Sequence, residues 1–131
     1  MDVETLARRL VDAYNSRQLE AQTELLFDPD IELVPLRAVL EDTVYRGHNG
    51  IRQLARDIDE SWSEAHIEIH ELDVRGEQAV STGRLRLRGR SSGALTEVTA
   101  AASWSVRNGR LWRWRYHATV HDARRELGWE N

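Results

Sequence analysis

This sequence has no cysteine and no lysine. Without cysteine there can be no disulfide, no thiolate metal site and no cysteine nucleophile, which fits a reducing cytoplasm. Without lysine, all 18 basic side chains are arginine, on helix backs as elsewhere. That uniformity reads as a compositional bias of the source rather than as bidentate phosphate recognition. An excess of positive charge is also missing: the net charge is −4, whereas a domain that grips nucleic acid is usually basic. A nucleic-acid partner is therefore not expected. No apolar run has the length of a membrane span, and the opening MDVETLARRL is acidic then amphipathic rather than basic then apolar, so no membrane association is expected either.

What is present suits one domain over residues 1–131, long enough to bury a single core. Val3, Leu6, Leu10 and Tyr14 recur at helical spacing, with Asp2 placed as an N-cap, which predicts a first helix over 2–15. LEAQTELLF predicts a second over 19–27, stopped by Asp28-Pro29, and IELV at 31–34 a short strand. Residues 36–49 have no clear period and read as an irregular segment, with His48 as a loop or capping residue. Ile51, Leu54, Ile58 and Trp62 predict a third helix from Gly50.

Beyond Ser63 the period changes to alternation. Ile67 and Ile69 share one parity while Leu72 and Val74 share the other, so the strand slips near His70 and Glu71 as a bulge requires. Turns at RGEQ, SSG and Asn108-Gly109 separate four long strands, the last turn being a two-residue hairpin signal. HDARRELGW reads as a short terminal helix. This order predicts an α+β fold, a cone-shaped roll with three N-terminal helices packed on a strongly curved, mostly antiparallel sheet. The mouth of such a cone can hold a ligand.

The succession ARRLVDAYNSRQLEAQTELL, DPDIELVP, YRGHNGIRQL and VRNGRLWRWR resembles the SnoaL-like branch of the nuclear transport factor 2-like superfamily over nearly the whole chain. That superfamily includes isomerases, cyclases, epoxide hydrolases, dehydratases, transport adaptors and proteins without assigned activity, so the fold alone does not fix a chemistry. The catalytic positions of ketosteroid isomerase fall on Leu10, on Val34 or Pro35, and on Ala102, none of which moves a proton through its side chain. The cyclase aspartate falls on Thr119, three residues before Asp122, and the paired aspartates of the epoxide hydrolases have no counterpart. The resemblance thus implies a small-molecule-binding protein, of isomerase or cyclase type or else non-catalytic, with no cofactor.

Within that fold the parity that turns Ala102 inward also turns Val98, Trp104 and Val106 inward, and Trp112, Trp114 and Tyr116 share one face of the last strand. The expected pocket is lined by Leu10, Tyr14, Leu54, Ile58, Trp62, Ala102, Trp104, Trp112, Trp114 and Tyr116, taking a small apolar ligand. Two readings stay open: the rings fill a closed core, or they wall an open pocket. The catalytic candidates are Tyr14, His117 and Asp122. The five histidines, His48, His66, His70, His117 and His121, form no HExxH-type pattern, so no metal is expected. Arg84, Arg86, Arg88 and Arg90 alternate with Leu85 and Leu87 and are expected outward, paired with Glu97 and other acids. In the superfamily that outer sheet face often joins two copies, so a homodimer is expected.

Overall fold

Asp2 starts the first helix by accepting the Thr5 N–H at 2.8 Å, one of the donors that every helix start leaves unpaired. From this cap α1 (Val3–Asn15) buries Val3, Leu6, Leu10 and Tyr14, with Ala7 and Ala13, along one stripe. The computed structural model describes residues 1–35 and 43–129, so the 36–42 part of the expected irregular segment lies outside the described residues.

The second helix is shorter than its apolar pattern suggests. Only Thr23–Leu26 is helical (α2), and Phe27 already opens β1 (Phe27–Val34), four residues before the expected strand. Hydrogen bonds account for the difference. The Asp28 carboxylate accepts the Asp30 N–H at 2.8 Å and is gripped by Arg107 at 3.1 and 3.2 Å, so the chain stays extended through this stretch. Pro29, which has no N–H to give, sits where the ladder register of β1 breaks.

A two-residue strand, β2 (Tyr45–Arg46), follows and pairs antiparallel with β1. Next comes α3 (Gly47–Ser61), three residues longer at its start than expected. Trp62 is not on this helix but is the first residue of β3 (Trp62–Arg75). The remaining elements are β4 (Gln78–Gly89), β5 (Leu95–Arg107), β6 (Arg110–His117) and α4 (Val120–Glu126).

The six strands among the described residues form one sheet in the order β2-β1-β6-β5-β4-β3, antiparallel except for β1 beside β6. Among the described residues there are four helices rather than three at the N-terminus: α1 and α2 precede the sheet, α3 divides it, and α4 follows it. The fourth lies on the opposite face. Its Ala123 packs with Val80 and Trp129 in a small cluster separate from the main core. The tail can do this because Val80 has the outward parity of β4 while Ala79, Leu85 and Leu87 point to the main core.

The bulge in β3 falls at the expected place: Ile69 pairs with Gly83 and Glu71 with Thr82, leaving His70 as the extra residue. Gly83 answers it on β4, since a Cβ there would stand 1.8 Å from the Glu68 carbonyl oxygen. Asn108 and Gly109 both have positive φ, 53° and 74°, as a tight hairpin turn needs.

A second bulge overturns one orientation. Ser105 pairs with Arg113 but Val106 pairs with Leu111, so Trp112 is an extra residue in β6. Alternation stops at that residue. Leu111 and Trp114, three apart, are therefore the ones buried in the core, each 1% exposed, and Trp112 is turned to the outer face. There the Arg107 and Arg113 guanidiniums lie 4.7 and 4.5 Å from its ring centre.

Candidate functional site

Nine of the ten expected pocket residues come together. Leu10, Tyr14, Leu54, Ile58, Ala102, Trp104 and Trp114 are buried members of the main core, and Trp62 and Tyr116 are half-buried against it. Trp112 is the exception, lining an open outer groove of about 490 Å³ with Arg75, Gln78, Ser105 and Arg107.

The centre of the group is a ladder of rings across β5 and β6. Trp104 and Trp114 are cross-strand partners with ring centres 5.2 Å apart and planes 24° apart, a stacked pair. Tyr116 continues the row, 5.4 Å from Trp114 and tilted by 48°. Its cross-strand partner is Ala102.

The polar atoms on these rings are unequal. Trp104 Nε1 donates to Ser81 Oγ at 2.8 Å. By contrast the indole nitrogens of Trp114 and Trp62 are buried with no hydrogen-bond partner among the described residues. A buried donor left unpaired costs about 1–3 kcal/mol. Burial raises the Tyr14 phenol to about 12, against a smaller opposing pull from the Arg17 charge. Burial also lifts Tyr116 well above the ordinary phenol range, with the nearby Tyr14 adding to the effect. Both phenols are therefore protonated at neutral pH, and no hydrogen bond among the described residues engages either hydroxyl.

Near Tyr14 the core approaches the surface at a cleft of about 40 Å³ between α1 and α3, lined by Tyr14, Leu19, Ala55, Ile58 and Asp59 among others. That volume holds a water and little more. Arg17 stands beside it, its guanidinium fixed by Asp59 at 2.8 Å and by the Trp62 carbonyl at 3.0 Å.

The three catalytic candidates do not form one constellation. Tyr14 faces the core, 8% exposed. His117 pairs with Ala101 across the strands and lies on the outer face, where its Nε2 is 3.0 Å from Ser103 Oγ. Burial pulls the imidazole below its ordinary value of 6.5, while Glu126 and Asp122 push it up and Arg115 pushes it down. Asp122 stands in the first turn of α4, its backbone N–H donating to the Thr119 hydroxyl at 3.1 Å. The sheet thus separates Tyr14 from His117. The reason is parity: His117 shares the outward side of β6 with Arg115, which pairs with Glu32 and Glu126.

The other histidines stand apart. His48 Nε2 meets the Phe27 carbonyl at 2.8 Å, while His66, His70 and His121 are exposed. No group of three or more His, Asp or Glu side chains converges to hold a metal among the described residues.

The arginine ladder faces outward for three of its four members. Arg84 lies 3.7 Å and Arg86 3.8 Å from Glu97, while Arg86 and Arg88 lie 3.9 and 3.3 Å from Glu64. Arg90 leaves the row because β4 ends at Gly89; it donates instead to the carbonyls of Asp59 and Trp62.

Two interactions had no sequence signal. The Tyr45 hydroxyl donates to Asp57 at 2.6 Å, and the Asn15 amide reaches Ile67 on β3. Both depend on contacts between distant segments.

Residues 7–114 match the model of the SnoaL-like domain. No curated protein matches the chain. Solved structures do. A nuclear transport factor 2-like protein of unknown function from Burkholderia pseudomallei is 19% identical, the alignment covering 93% of this chain and 94% of that one with a TM-score of 0.76. A candidate polyketide cyclase from Sinorhizobium meliloti is 21% identical over 86% and 94%, TM-score 0.70. A hypothetical protein with a ketosteroid isomerase-like fold from Catenulispora acidiphila, in complex with trimethylamine, is 13% identical over 99% and 96%, TM-score 0.77. At these identities the likeness carries the fold and not the chemistry.

Proposed function

The chain belongs to the SnoaL-like domain family, and from that premise we propose that it is a cytoplasmic small-molecule-binding protein that holds a flat, largely apolar ligand against the Trp104–Trp114–Tyr116 ladder. The observation that carries this reading is the company those rings keep. Tyr14, Tyr116, Trp62 and Trp114 bring four N–H or O–H groups to one apolar cluster, two of them buried with no partner among the described residues. A core evolved only for packing gains nothing from buried unpaired donors, whereas a binding site needs a few fixed polar groups among apolar walls.

Intrinsic tryptophan fluorescence tests it. A panel of flat apolar compounds should include some that quench the ladder and raise the melting temperature. If no compound does either, the rings only fill a core and the reading fails.

A second reading, turnover of isomerase or cyclase type, draws support from Tyr14, whose protonated phenol can donate to a developing oxyanion. His117 and Asp122 have no part in it, because they lie across the sheet. Replacing Tyr14 with Phe should then lower turnover of any accepted substrate by about 10²-fold or more, the scale of losing one oxyanion donor. Unchanged turnover would leave binding as the function.

For the partner we propose a second copy of the chain, docked on the outer sheet face where the Arg84–Glu97–Arg86–Glu64–Arg88 row offers alternating charges.

A further inference from the structure

The five tryptophans sort by what their indole N–H groups meet. Trp104 donates to Ser81 at 2.8 Å and Trp129 to Gln78 at 3.2 Å. Trp112 is on the outer face, half-exposed. Trp62 and Trp114 remain, both with buried N–H groups that meet no partner among the described residues. Of these two, Trp114 is the more deeply placed, 1% exposed, whereas the Trp62 residue is half-exposed at the start of β3.

Trp114 is also the more rigidly held. Its ring stacks on Trp104, and Trp104 is pinned through its own nitrogen by Ser81, so the pair cannot turn freely to find another acceptor. An indole nitrogen only donates. Among the described residues no acceptor lies within hydrogen-bond reach of Trp114 Nε1.

We propose that the Trp114 indole N–H is a specificity-determining donor of the interior site, selecting ligands that bring a carbonyl-type oxygen to the ring ladder. The proposal rests on the reading of that interior as a ligand site. It adds the ligand's chemistry: a flat apolar body with an uncharged acceptor, because the side chains packed around the ring are apolar and burying an anion among them costs far more than burying a neutral carbonyl. A ligand without the acceptor leaves the donor unpaired, and a site built around a polar group discriminates most strongly against analogues that cannot meet it.

The probes are 1-tetralone and tetralin, a flat ketone and its hydrocarbon. The readout is the set of five indole N–H signals of protein labelled with ¹⁵N-tryptophan, assigned by single Trp→Phe variants. In the wild-type protein the ketone should move the Trp114 signal downfield and tetralin should not. Trp114→Phe should reduce the ketone-to-hydrocarbon affinity ratio about tenfold, the effect of one hydrogen bond. Trp112→Phe, on the other face, should leave the ratio unchanged. Should Trp114→Phe not fold, the wild-type shift at Trp114 decides alone. Binding of both probes with no ketone preference at this signal, or a preference kept in Trp114→Phe, overturns this proposal and leaves the ligand site standing. Failure of both probes to bind or to shift any buried indole signal overturns the proposal and the site together.

Discussion

The side-chain amide of Asn15 holds both backbone groups of Ile67, donating to the carbonyl at 3.0 Å and accepting from the N–H at 2.8 Å. β3 is an edge strand, and an edge leaves a row of such groups open. One amide from the end of α1 thus stands in for a missing neighbour strand and ties that helix end to the sheet. Tyr14, the adjacent residue, is positioned by the same anchor. Asn15→Ala should lower stability by about 2 kcal/mol, the cost of two lost bonds and two exposed partners, and should speed hydrogen exchange at Ile67. A change below about 0.5 kcal/mol in a denaturant titration, within the range of an ordinary surface substitution, would show that the anchor is incidental.

Gly83 lies close against the Glu68 backbone across β3 and β4. The methyl of Gly83→Ala would lie 1.8 Å from a backbone oxygen, and backbone cannot swing aside as a flexible side chain can. The bulge at His70 would have to be rebuilt, so a loss of about 3 kcal/mol or more is expected, above the common range for point changes. Gly76→Ala is the control. Its φ of 59° strains an alanine by about 1–2 kcal/mol, but a Cβ there meets nothing within 4 Å. A Gly83→Ala protein as stable as Gly76→Ala would contradict the geometry.

These two sites differ in how far the sequence announced them. The slip at His70 was visible because Ile67, Ile69, Leu72 and Val74 change parity in an apolar pattern. Likewise the inward placing of Trp104 and the outward placing of Arg84 follow from alternation. The slip at Trp112 was hidden, since Trp112, Trp114 and Tyr116 keep perfect alternation and only the pairing with Ser105 and Val106 breaks it. Alternation brought most of the expected rings to the core but could not say which indoles would lack partners. Trp104 and Trp114 look alike in sequence; the Ser81 hydroxyl, distant in the chain, separates them. His117 lies on the outer face for the reason Arg115 does, the alternation of β6 beyond Trp114.

His117 makes stability depend on pH in a definite direction. Burial holds the folded imidazole below its ordinary value of 6.5, so the unfolded chain binds the proton more readily. The contribution is present above pH 6.5 and is lost as pH falls through the folded value. Stability should therefore decline below pH 6.5 in the wild-type protein, and the decline should flatten in His117→Gln. At lower pH a second loss should begin below 3.8, where Asp28, held down first by its Arg107 hydrogen bonds, takes up its proton. Equal slopes for wild type and His117→Gln between pH 6.5 and about 5 would remove His117 from this account.

The outer arginine row separates a solvated surface from an interface. Arg86 stands between Glu97 and Glu64 at 3.8 and 3.9 Å, and its side chain is 47% exposed. Pairs this exposed contribute about 0–1 kcal/mol each, so Arg86→Ala should barely alter the stability of one folded chain. A second copy on this face would change the outcome. Arg86→Glu would then place a new carboxylate between Glu97 and Glu64, an unbroken acidic run set against the same run on the partner, and like charges facing each other at an interface are costly. Sedimentation should show a wild-type dimer that Arg86→Glu converts towards monomer, most strongly at low salt. A wild-type protein that sediments as a monomer at high concentration would mean that the row only keeps this face wet.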